Sequence, residues 1–153
     1  MNWQVQPAEE RSFGRKRSAM APDDRDLLAV LKTELEFLQS GRYRHVARAP
    51  WRVPLYFQDS PSCPRLARLG TGEQPCSGCV LFPLVPFFAQ DEPLPCRHIP
   101  LTAEGHTLHI LYGCATPFEI RRAFERWLRA TILRLETKRA LFQEGWIYRQ
   151  LSA

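Results

Sequence analysis

Apolar residues fall into two long helical stripes, one near each end of the chain. Leu27, Leu28, Leu31, Leu35 and Leu38 recur at helical spacing, and Val30 and Phe37 widen the stripe. Asp23 or Asp24 can cap this helix, and Gly41 is placed to end it. Lys32 and Glu36 stand four apart on the opposite face. The second stripe runs through Ile120, Phe124, Trp127, Leu128, Thr131, Leu135 and Phe142. Thr116-Pro117-Phe118-Glu119 opens it with an N-cap, a proline at the first helical position and a glutamate able to close a capping box. A helix is predicted over 117–144, with Gly145 as its stop.

Between the helices the period changes. Val53, Leu55 and Phe57 alternate with more polar neighbours and read as a strand, with Pro54 confining it to a sheet edge. Leu108, Ile110 and Tyr112 read as a second strand over 107–112, with His106 near its start, His109 on its other face and Gly113-Cys114-Ala115 ending it. Ten of the thirteen prolines lie from Pro50 to Pro100, which bars a long helix or a central strand there. The expected fold is α+β. Two terminal helices pack on a small β-sheet, and a long proline-rich, cysteine-bearing metal loop is inserted between the strands. Residues 1–22 read as a disordered basic tail containing Arg15-Lys16-Arg17, and residues 23–153 as a single domain. A length of 153 residues suffices for one core without disulfides.

Cysteine placement turns this outline towards chemistry. Cys63, Cys76, Cys79 and Cys96 lie within the metal loop of residues 63–98, and His98 follows two places after the last. Pro75-Cys76-Ser77-Gly78-Cys79 has knuckle spacing, with Gly78 available for a positive φ. If Arg97 lies in extended chain, Cys96 and His98 project from one face. Four of these five residues are expected to bind a structural zinc as a zinc knuckle. The set is either Cys₄ or the Cys₃His of Cys76, Cys79, Cys96 and His98. The alternative is a [4Fe–4S] cluster, which four thiolates also hold and which suits cysteines flanked by proline. The apolar run Val80–Phe88 is expected to fold over the cysteines and seal them from water. Five cysteines and no secretory h-region point to a reducing, cytoplasmic setting, with Cys114 spare.

Other classes are set aside. No apolar run approaches a membrane span. Pro75-Cys76-Ser77-Gly78-Cys79 matches half of the zinc-deaminase signature, but no His-x-Glu triplet or cysteine equivalent precedes it. A thiol enzyme built from Cys114 with His106 or His109 lacks any complete motif, so a non-enzymatic binding or regulatory module with a protein partner is expected. Net charge is +5, carried by 18 Arg and 3 Lys against 16 acidic residues. That leaves weak nucleic-acid binding through Arg121, Arg122, Arg126 and Arg129 as a second alternative.

Overall fold

The computed structural model describes residues 25–46, 52–64 and 75–151. The expected tail over 1–22, and the candidate caps Asp23 and Asp24, lie outside the described residues. Four α-helices appear among the described residues: α1 (Leu27–Gln39), α2 (Arg42–Val46), α3 (Leu108–Cys114) and α4 (Pro117–Leu151). Short 3₁₀ turns at Cys76–Gly78, Phe82–Leu84, Phe87–Ala89 and Pro95–His98 fill the space between α2 and α3. No strand occurs among the described residues, and the one ladder contact is an isolated antiparallel bridge between Pro100 and Thr107. The α+β expectation is therefore corrected to a mainly helical fold.

Asp26 caps α1, accepting a hydrogen bond from the Ala29 N–H at 2.8 Å. Gly41 follows the helix at φ +74°, a conformation a side chain disfavours. Thr116 and Glu119 form the reciprocal box at the start of α4: the Thr116 N–H donates to Glu119 at 2.8 Å, and the Glu119 N–H to Thr116 Oγ1 at 3.3 Å. Gly145 does not stop α4, which runs 35 residues, or about 52 Å. α1 and α4 lie antiparallel. Arg139 pairs with Asp26, Lys32 meets Glu136 at 2.6 Å, and Gln39 donates to Glu125 at 3.3 Å. Lys32 thus reaches across to α4 instead of pairing with Glu36. Leu28, Leu31 and Leu38 bury against Ile120, Phe124, Trp127, Leu128 and Ile132. Phe142, placed on the stripe by its spacing, is 70% exposed.

Both expected strands fail for local reasons. Residues 107–115 use the helical period that their sequence also contains: Leu108 is buried, Leu111, Tyr112 and Ala115 pack against the core, and Ile110 points outward. Thr107 caps that helix, accepting from the Ile110 N–H at 3.3 Å. In residues 53–57 alternation breaks down because Tyr56 and Phe57 are both buried. A turn allows this. The Asp59 N–H donates to the Leu55 carbonyl at 2.8 Å, the Leu55 N–H returns to the Asp59 carboxylate at 2.8 Å, and Phe57 sits at φ +66°. A non-glycine residue held there costs about 1–3 kcal/mol, which the surroundings must offset. Phe57 stands edge-on to Phe124 and Trp127, at centroid separations of 4.9 and 5.8 Å.

The Phe57 turn is tied to α1 through a buried carboxylate. Glu34 has no solvent exposure. It accepts hydrogen bonds from the hydroxyls of Tyr43 and Ser60. Tyr43 Oη accepts the Phe57 N–H at 3.1 Å, and Ser60 Oγ accepts the Ser62 N–H at 2.9 Å. Burial raises the Glu34 pKa above 4.5, while the hydroxyl donors pull it down. Below the ordinary value both folded and unfolded chains hold the proton. Between that value and the raised one, only the folded chain holds it, so stability falls as pH rises and levels off above the folded value. Glu34→Gln is expected to remove this fall, read as the difference between the two urea-denaturation profiles from pH 4 upward. Tyr43→Phe, which strands both Glu34 and the Phe57 N–H, is expected to cost about 2 kcal/mol by the same measurement.

Candidate functional site

Cys63, Cys76, Cys79 and Cys96, all half-buried, line one small cavity. Three chain segments deliver them, each by a tight turn. Cys63 follows the Ser60–Ser62 pair, with its N–H donating to the Ser60 carbonyl at 3.1 Å. Cys76 and Cys79 bracket a 3₁₀ turn closed by the Cys79 N–H on the Cys76 carbonyl at 3.0 Å. Three residues per turn place side chains i and i+3 one above the other, so both sulfurs face the same way. Gly78 does not take the positive φ expected of it; the glycines that do, among the described residues, are Gly41 and Gly105.

Cys96 lies in the 3₁₀ turn Pro95–His98. That geometry decides the place of His98. In extended chain residues two apart share a face, but in a 3₁₀ turn three successive side chains fan out in three directions. Cys96 enters the cavity. Arg97 donates to Gln58 Oε1 at 2.6 Å and lies over the Tyr112 ring at 5.6 Å. His98 stacks on His109 of α3, with centroids 4.7 Å apart. Of the five expected ligands, four meet at the cavity and His98 is turned away from it.

The cavity measures about 30 Å³, against about 10–15 Å³ for one water on that scale. Organic ligands occupy pockets of about 300–1,000 Å³, so its occupant is small. Phe57, Leu81, Phe82 and Val85 wall it, as do Pro64, Pro75 and Pro95, each beside a cysteine. The Val80–Phe88 run therefore seals the site in part, while Phe87 and Phe88 are 89% and 85% exposed. Glu34 forms part of the same wall. The cysteines are not disulfide-bonded. Burial, and then the neighbouring thiols of Cys63, Cys76 and Cys79, push Cys96 up to about 12.

The arrangement does not match a zinc knuckle. A tetrahedral zinc with bonds of about 2.3 Å requires its four sulfurs to stand about 3.8 Å apart. Among the described residues no group of three or more His, Cys, Asp or Glu side chains is set to hold a metal ion. The zinc expectation is corrected on that ground, and an iron–sulfur assignment gains no direct support from the same geometry. What remains is a shared four-thiol cavity. The arginines expected to meet nucleic acid are divided: Arg121 and Arg122 line a large cleft, Arg126 lines another cavity near Glu104, and Arg129 pairs with Glu125 at 2.9 Å.

Comparison with protein-family models, curated proteins and solved structures returns no match. No helix among the described residues is long and apolar enough to cross a membrane.

Thiol reactivity follows from these surroundings. The thiolate is the nucleophile, so a buried thiol with a raised pKa reacts slowly. In chain freed of any bound metal, iodoacetamide at pH 8 is expected to label exposed Cys114 first and Cys96 last, read by peptide mass spectrometry. Equal rates at the two positions would contradict the shielding of Cys96.

Proposed function

We propose that Cys63, Cys76, Cys79 and Cys96 form a four-thiolate seat for an iron–sulfur cluster, in a non-enzymatic cytoplasmic protein acting as a redox or sensing module. The observation that carries this reading is the convergence of four half-buried cysteines from three segments on one small, mainly apolar cavity. A cluster interposes several irons and sulfides between its ligands, so its cysteine sulfurs stand farther apart than those around one ion. The donor set is all-thiolate, as such clusters ordinarily require, and His98 is not needed.

When bound, such a cluster supplies one-electron redox chemistry. The chain's own residues supply the rest. The four cysteines provide the ligands and their negative charge. Phe57, Leu81, Phe82 and Val85 keep water away, and exclusion of water from a charged centre shifts its potential. Thiols not joined in disulfides persist in the reducing cytoplasm.

The test is purification without oxygen, followed by an absorption spectrum and iron and sulfide analysis. A brown protein with about four irons per chain is expected, the content of one cubane. Serine at any of the four cysteines should abolish or sharply reduce the iron, while Cys114→Ser and His98→Ala should leave it unchanged. A colourless wild-type protein without iron would overturn the reading, as would equal iron in Cys76→Ser and Cys114→Ser.

A further inference from the structure

A large cavity lies away from the cysteines. It is a cleft of about 920 Å³ between α2, the Arg52–Tyr56 turn and the start of α4. Arg44, Arg52, Arg121 and Arg122 line it, from three separate parts of the fold. The one carboxylate on its wall, Glu125, is already held by Arg129 at 2.9 Å and by Gln39 at 3.3 Å. Its pKa is lowered chiefly by the Arg129 hydrogen bond. Arg52 reaches Asp59 only at 3.8 Å, and Arg121 donates to the Leu38 carbonyl at 3.5 Å. Arg44 and Arg122 form no ion pair among the described residues. Four guanidinium groups around one concave space repel each other unless an anion joins them, and the planar fork of arginine suits phosphate.

The rest of the lining is apolar. Phe118 presents a ring that is 70% exposed at the mouth, and the Tyr56 ring lies deeper. We propose that this cleft binds a nucleoside phosphate, with its phosphates on the arginines and its base against Phe118. The volume falls in the range of small-ligand sites. An exposed aromatic ring beside a cationic surface is the arrangement that stacks a base while its phosphates are neutralised. A compact ligand fits better than a polymer, because Arg126 and Arg129 do not extend the cationic surface along α4. Arg129 is engaged by Glu125, and Arg126 faces Glu104 in another cavity.

The test is calorimetric titration of the full chain with adenosine triphosphate, inorganic pyrophosphate and a twenty-nucleotide oligothymidylate. The nucleotide should bind more tightly than pyrophosphate, and binding should weaken as salt rises. Arg44→Ala and Arg122→Ala, both at exposed positions, should each weaken nucleotide binding about tenfold while leaving the thermal melt unchanged. Phe118→Ala should weaken the nucleotide and leave pyrophosphate unaffected. Absence of binding at millimolar nucleotide would overturn the proposal. So would equal affinity for nucleotide and pyrophosphate, which removes the ring's role. Tighter binding of the oligonucleotide than of the mononucleotide would also overturn it, making the surface a nucleic-acid face.

Discussion

A carboxylate with no exposure to water must find its hydrogen bonds inside the protein or remain protonated, and Glu34 imposes that condition on everything around it. It sits on the inner face of α1, where the leucine stripe would ordinarily continue. Tyr43 and Ser60 satisfy it, and each passes a further bond to backbone, Tyr43 from Phe57 and Ser60 from Ser62. The turn that holds Phe57 at positive φ and the approach to Cys63 are therefore anchored to the same side chain. Without it the 52–64 segment would be joined to α1 by apolar contact alone, which is strong but does not fix direction.

Direction matters most in the segment from Cys76 to His98. Prolines exclude regular ladders there, so the chain folds as short turns whose geometry is set residue by residue. A 3₁₀ turn returns to the same face after three residues, and that places Cys76 and Cys79 together. The same rule separates Cys96 from His98, leaving the imidazole to stack on His109 while Arg97 bridges to Gln58 and Tyr112. Three consecutive side chains thus serve the cavity, the Phe57 turn and α3.

Much of this was legible in the amino-acid sequence, and the failures have identifiable causes. The two helical stripes and the Thr116–Glu119 box are local patterns, and α1 and α4 follow them. The strand expected over 107–112 fails because Leu108 and Tyr112 satisfy both periods, and only the inward-facing Leu111 and outward-facing Ile110 separate them. The strand over 53–57 was misread because burial of adjacent Tyr56 and Phe57 depends on a strained turn held by Tyr43, fourteen residues away from Phe57 in sequence. Glu34 was invisible as an anchor. Its partners come from other segments, and a glutamate on a helix is ordinarily solvated. Clustering identified the cysteines as a group. Their segregation from His98 required the backbone conformation of one turn. The arginine cleft was missed for the same reason as Glu34: its cations are scattered along the chain, and only their convergence sets them apart.

The two cavities are chemically opposite, one small and lined by thiols and apolar groups, the other large and cationic. They are nevertheless neighbours through a single hydrogen bond. Tyr43 forms part of the wall of the arginine cleft, Glu34 forms part of the wall of the thiol cavity, and the Tyr43 hydroxyl donates to Glu34. Burial, with the nearby Glu34 carboxylate, raises the tyrosine pKa well above its usual range, so the hydroxyl keeps its proton and remains the donor throughout the accessible pH range. Displacing the Tyr43 ring would therefore break a buried bond to a carboxylate and release the Phe57 N–H at once. Both groups would be left in an environment that water does not reach. The fold resists that with a penalty of about 1–3 kcal/mol per stranded group, which makes the shared wall stiff. A rigid partition between a cationic cleft and a thiol cavity keeps each at its own polarity, and small cavities hold their shape only when such walls do not yield.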